Sequence, residues 1–129
     1  MRLRVIIAGS RGTKANPGRE LLEIGIEDAR SHGVEITEVV CGKGRAGIDK
    51  CAREWAAENS LPVKIHAADY DRLRASAGYM RNHALLKNGD ALVAISTGTA
   101  GTKHLIHFAR TKGMPVFVVA VSLVSSLDS

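Results

Sequence analysis

Five short apolar runs rich in β-branched residues alternate with four longer segments of helical period. That alternation confines the chain to an α/β fold, with a central parallel five-stranded sheet and helices on both faces. The runs fall at 3–8, 35–41, 63–66, 91–96 and 115–121. Val93 and Ile95 in one, and Val116, Val118, Val119 and Val121 in another, have the near-continuous apolar character of strands buried on both faces. The first helix is expected over 16–32, where Asn16 can cap, Pro17 suits the first turn and Gly33 ends it. Leu21, Leu22, Ile24, Gly25 and Ile26 supply its buried side. The second, over 48–59, carries Ile48, Cys51, Ala52 and Trp55 on one stripe, which makes Trp55 a core residue. The third runs over 76–87 and stops at Asn88-Gly89 as a glycine C-cap. The fourth opens at Gly101-Thr102 and ends at Gly113.

Three of the strands end in glycine-rich turns. They are Gly9-Ser10-Arg11-Gly12, Gly42-Lys43-Gly44-Arg45-Ala46-Gly47, and Thr97-Gly98-Thr99-Ala100-Gly101-Thr102. A strand that ends in glycine and feeds a helix presents unpaired backbone N–H groups, with no Cβ in the way, to a phosphate or carboxylate. In an open α/β sheet ligands bind at the carboxyl ends of the strands, so all three turns belong on one edge. Ser10 adds a hydroxyl and Arg11 a bidentate cation, and segment 13–18 is long enough to fold over a ligand as a flap. Lys43 and Arg45 add charge to the second turn, which is neither a Walker A loop nor a dinucleotide fingerprint. Asp49 reads equally as a favourable charge at a helix N-terminus or as a group that orients a ribose hydroxyl. Ser96, Thr97, Thr99 and Thr102 make the third turn a neutral cradle, while Arg81 and Asn82 sit at the start of the third helix and belong by position to the same edge.

The bulk composition narrows the ligand class. With 129 residues and 45% hydrophobic content, residues 1–121 form one domain, followed by a serine-rich tail at 122–129. A net charge of +5 is spread along the chain and suits an anionic ligand, and 4% aromatic content argues against a single-strand stacking platform for nucleic acid. Cys41 and Cys51 fit no metal-ligand spacing and are expected as reduced core thiols. His104 and His107 lie three apart on a helix but lack a third ligand, so no metal site is expected. The apolar run after Met1 is cut off by Gly9, and no stretch approaches the roughly 20 apolar residues of a membrane helix, so a cytoplasmic protein is expected, with no membrane partner.

Val5 to Gly12, the Gly42 to Asp49 turn followed by Ala52-Arg53-Glu54-Trp55-Ala56, Gly78 with Arg81-Asn82, and Gly101-Thr102 together resemble the SLOG superfamily, and within it the YspA-type subgroup. The resemblance spans Val5 to Val119. It implies a single Rossmann-like domain that binds a nucleotide or nucleotide-derived ligand, with ADP-ribose-like and NAD-derived molecules as examples, and requires no cofactor. The ligand-contacting positions it implies are Gly9, Ser10 and Arg11; Gly42, Gly44, Arg45, Gly47 and Asp49; Arg81 and Asn82; and Gly98, Gly101 and Thr102. Lys43 and Thr99 join them from the turn chemistry. Phosphoribohydrolases of the superfamily use an arginine and a glutamate in a Pro-Gly-Gly-x-Gly-Thr-x-x-Glu pattern. Here Arg81 matches the arginine, but Leu105 takes the glutamate position and the Pro-Gly-Gly start is absent.

The expectation is therefore a protein that binds its ligand as a sensor or by sequestration, and that pairs as a homodimer. An N-glycoside hydrolase with Arg81 on the phosphate is the alternative, with Glu20, Asp69 or Asp71 as undistinguished substitutes for the missing carboxylate. A DNA-associated protein is a second alternative.

Overall fold

The computed structural model describes residues 1–10, 15–68 and 76–121, with side chains in the first helix described from Gly18 onward. The elements follow the expected alternation: β1 (Arg2–Gly9), α1 (Ala15–Ser31), β2 (Glu35–Gly42), α2 (Gly47–Glu58), β3 (Val63–His66), α3 (Ala77–Asn88), β4 (Ala91–Ser96), α4 (Ala100–Thr111) and β5 (Val116–Ala120). All neighbouring strands pair in parallel, in the order β3-β2-β1-β4-β5. The chain steps outward from β1 to β3, then returns past β1 to β4. This reversal places α1 and α2 on one face and α3 and α4 on the other, giving a single Rossmann-like domain whose topological switch lies between β1 and β4.

The two-residue period of the strands divides the core accordingly. Val5, Ile7, Val39, Cys41, Val93 and Ile95 pack against Leu22, Ile26 and Ala29 of α1 and against Ile48, Cys51, Ala52 and Trp55 of α2. Ile6, Val40, Leu92 and Ala94 pack against Leu85 and Leu86 of α3 and Leu105, Ile106 and Ala109 of α4. Trp55 is core, as expected, with the Arg30 guanidinium 5.3 Å from its ring centre. Arg19 of α1 pairs with Glu58 of α2, and Cys41 and Cys51 are buried free thiols. No helix among the described residues is long and apolar enough to cross a membrane.

Three expectations need correcting. β5 is an edge strand, and Val116 to Val119 are only half-buried, because β4 is its single neighbour in the sheet. Ile24 is 57% exposed. It lies two residues from both Leu22 and Ile26, about 200° around the helix from either, so burying them turns it outward. Gly89 is no left-handed cap: its φ is −127°, and a Cβ there would stand 2.3 Å from Ile6 Cγ1. Glycine is required at that position to admit the Ile6 side chain. Gly33 and Gly113, with φ of +88° and +76°, are the glycines that end α1 and α4 in the left-handed region.

Candidate functional site

Parallel pairing brings the carboxyl ends of β1, β2, β3 and β4 to one edge of the sheet, so the described parts of the three glycine turns, the first represented by Gly9 and Ser10, converge there. At the switch point a cleft of about 390 Å³ opens between β1 and the first turns of α3 and α4. Gly9 forms its floor, Tyr79, Arg81 and Asn82 one wall, and Thr99, Gly101, Thr102 and Leu105 the other. Gly9 also serves packing, since a Cβ there would lie 2.2 Å from Ile48 Cγ1 of α2.

Ser10 binds the two central strands together beyond their last ladder pair. Its N–H donates to the Ile95 carbonyl at 2.9 Å, and its Oγ accepts from the Thr97 N–H at 3.0 Å. Thr99 Oγ1 donates to Ser10 Oγ at 2.8 Å, and Thr102 Oγ1 lies 3.2 Å from each of these hydroxyls. Ser10 and Thr102 are buried. These hydroxyls therefore form a mutually satisfied cluster that fixes the β4–α4 turn, in which Gly98 has a φ of +91°. The Gly98 N–H is held by Ser96 Oγ at 3.1 Å.

Side chains from α2 shape the second turn. Asp49 Oδ2 accepts from the Gly44 N–H at 2.9 Å, while Arg53 donates to the carbonyls of Gly42 at 3.3 Å and Gly44 at 2.6 Å. Asp49 thus acts first as a brace for the loop. Gly47, with a φ of +69°, turns the chain into α2, whose N-cap Ala46 offers no side-chain acceptor. Lys43 and Arg45 are exposed cations. Burial, reinforced by the Asp49 charge, pushes the neighbouring Cys41 thiol up to about 11, so it stays protonated.

Arg81 connects the second turn to the cleft. It lines the cleft, and its Nη1 lies 2.7 Å from the point a Cβ on Gly42 would occupy. Its Nε is buried without a hydrogen-bond partner. No carboxylate among the described residues pairs with this guanidinium. Asn82 differs: it is buried, and its Nδ2 donates to the Gly101 carbonyl at 2.9 Å and lies 3.1 Å from His104 Nδ1, tying α3 to the start of α4. His104 packs against Tyr79, His83 and Phe108. Burial and then the neighbouring His83 and His107 hold its pKa below the ordinary imidazole range.

Arg11, Asp69, Asp71 and the tail at 122–129 lie outside the described residues. Most of the expected flap at 13–18 belongs instead to the first turn of α1, which begins at Ala15. Leu105, at the position of the superfamily glutamate, is 1% exposed and forms part of the cleft wall. Among the described residues no group of three or more His, Cys, Asp or Glu side chains is placed to hold a metal ion. His66, which the apolar pattern of its run did not single out, ends β3 at the same edge and carries a buried Nε2 without a partner. Comparison of the chain with protein-family models, with curated proteins and with solved structures finds no match.

Proposed function

We propose that this chain binds a phosphorylated nucleotide or nucleotide-derived ligand, of ADP-ribose or NAD-derived type, at the carboxyl edge of the sheet, and holds it as a sensor or by sequestration. The observation that carries this reading is Arg81: a cation on the cleft wall that, among the described residues, has no ion pair and whose buried Nε lacks an acceptor. A phosphate oxygen supplies both the missing charge and the missing acceptor. The α2 and α4 N-termini add backbone N–H groups with no side-chain cap, and Lys43 and Arg45 add positive potential around them. The resemblance to the SLOG superfamily supplies the nucleotide part of the proposal.

Holding ranks above hydrolysis because of the cleft's chemistry. Glycoside cleavage needs a carboxylate to assist departure of the base and to stabilise the cationic sugar. The described wall offers Leu105 at that place, and Asp49 is engaged with Gly44. Calorimetry with ADP-ribose, cyclic ADP-ribose, AMP and NAD tests the proposal. Binding of at least one ligand, lost in Arg81→Ala, is expected, and absence of binding to all four at millimolar concentration overturns it. Release of free base by the pure protein, abolished in Arg81→Ala, would replace holding with hydrolysis. Binding of single-stranded DNA that weakens steeply with salt would favour the DNA reading instead. A cytoplasmic homodimer belongs to the same proposal, and sedimentation at micromolar concentration checks its stoichiometry.

A further inference from the structure

The carboxyl edge has a second unmet polar atom, one strand beyond the cleft. His66 pairs in register with Gly42, and Lys64 with Val40. Val40 belongs to the core under α3 and α4, and Lys64 Nζ donates to Asn88 Oδ1 of α3 at 2.8 Å. By the two-residue period of a strand, His66 stands on that same α3 side, next to Gly42. Arg81 reaches Gly42 from α3, with Nη1 2.7 Å from the place of a Cβ. Glycine is what allows that approach.

Among the described residues, His66 Nε2 and Arg81 Nε are the buried side-chain nitrogens left without a hydrogen-bond partner. A protein interior leaves such groups unmet at a cost, and here two of them belong to side chains that neighbour Gly42, His66 by strand register and Arg81 through its Nη1. Burial, and then the Lys64 charge, hold the His66 pKa below the ordinary imidazole range, so the ring is neutral at pH 7 and can offer Nε2–H as a donor. Arg81 Nε–H is always a donor. Among the described residues Asp49 is the carboxylate beside Arg53 and Arg81, and its Oδ2 accepts from the Gly44 N–H.

We infer that His66 and Arg81 form a clamp beside Gly42 that seats one phosphate group, of a phosphate monoester or a pyrophosphate, with His66 Nε2 and Arg81 Nε as its donors. The inference rests on the nucleotide reading above and adds to it a ligand residue from β3. It places the phosphate over β2 and β3, with the rest of the ligand extending toward the cleft at β1 and β4.

Imidazole nitrogen spectra of the full chain, titrated with inorganic pyrophosphate and separately with AMP, test the clamp together with calorimetry on variants. The His66 Nε2 signal shifts on addition of either probe, while that of His32, exposed in the turn after α1, does not. His66→Ala weakens pyrophosphate binding about tenfold, the usual scale of one hydrogen bond to a charged group, and His66→Gln, which keeps a donor and the fold, recovers part of it. If Arg81→Ala abolishes binding while both His66 variants bind as the parent does, the clamp is overturned and the nucleotide reading stands. If neither probe nor any nucleotide binds the parent chain, both fall together. A response to AMP alone assigns the seat to a monoester, and a response to both assigns it to the phosphate group as such.

Discussion

Replacing Arg81 with methionine should separate ligand binding from folding in opposite directions. Methionine keeps an unbranched stem of similar reach and removes the guanidinium. Arg81 makes no hydrogen bond or ion pair among the described residues, and its Nε is buried without an acceptor. Leaving a buried donor unmet costs about 1–3 kcal/mol. Because the rest of the side chain is only half-buried, the low end applies, and removing the group is worth roughly 1 kcal/mol to the empty protein. For a domain of this size that raises Tm by roughly 3–5 °C. Ligand binding loses the charge-assisted bonds, about 2–3 kcal/mol, or roughly 30- to 150-fold in affinity. Scanning calorimetry of the ligand-free variant gives the first quantity, and titration calorimetry with ADP-ribose and AMP the second. A Tm several degrees lower with unchanged affinity would refute the reasoning, since it would make the guanidinium a structural group.

Gly9→Ala should destabilise by about 1–3 kcal/mol in urea unfolding, because its Cβ meets Ile48 Cγ1 at 2.2 Å, and pairing it with Ile48→Ala should recover part of that loss. Asp90 accepts from the Arg4 N–H and from its Nε and Nη2, each at 3.0 Å, and these contacts hold its carboxyl below the ordinary range. A lowered folded pKa gives stability that is present above the unfolded value of about 3.9 and lost as pH falls through the folded one. The Tm gap between parent and Asp90→Asn should therefore be open at pH 7 and close as pH is lowered below about 4. Cys41 is buried, with its thiol pushed up to about 11, so a thiolate-directed disulfide reagent at pH 8 should leave it unmodified in the folded protein and label it only on unfolding.

Local chemistry in the sequence goes far toward the fold. Apolar alternation locates every strand within a residue or two, and the glycines mark the strand ends that converge on the carboxyl edge. It does not reveal what each glycine or polar group faces. Gly89 follows Asn88 as a C-cap would, yet its missing Cβ makes room for Ile6, a residue 83 positions earlier in the chain. Asn82 beside Arg81 has the look of a ligand amide, and its Nδ2 is spent on the Gly101 carbonyl. Ser10, Thr99 and Thr102 have the look of a phosphate cradle, and they hydrogen-bond one another. His66 gave no signal except its place at a strand's carboxyl end, because its significance depends on register with Gly42 and on the approach of Arg81 from α3.

The sequence by itself determined the α/β class, the number of strands and the chemistry available at their ends, because periodicity and turn residues act over a few neighbours. Only the tertiary structure decided the order β3-β2-β1-β4-β5, which makes β5 an edge and puts the switch at β1 and β4. It also decided which cations find partners: Arg53 is consumed by two backbone carbonyls, while Arg81 is left beside a bare glycine. Those outcomes turn on contacts between residues far apart in the chain, where the packing of helices on two faces leaves, among the described residues, the buried Arg81 Nε without an acceptor.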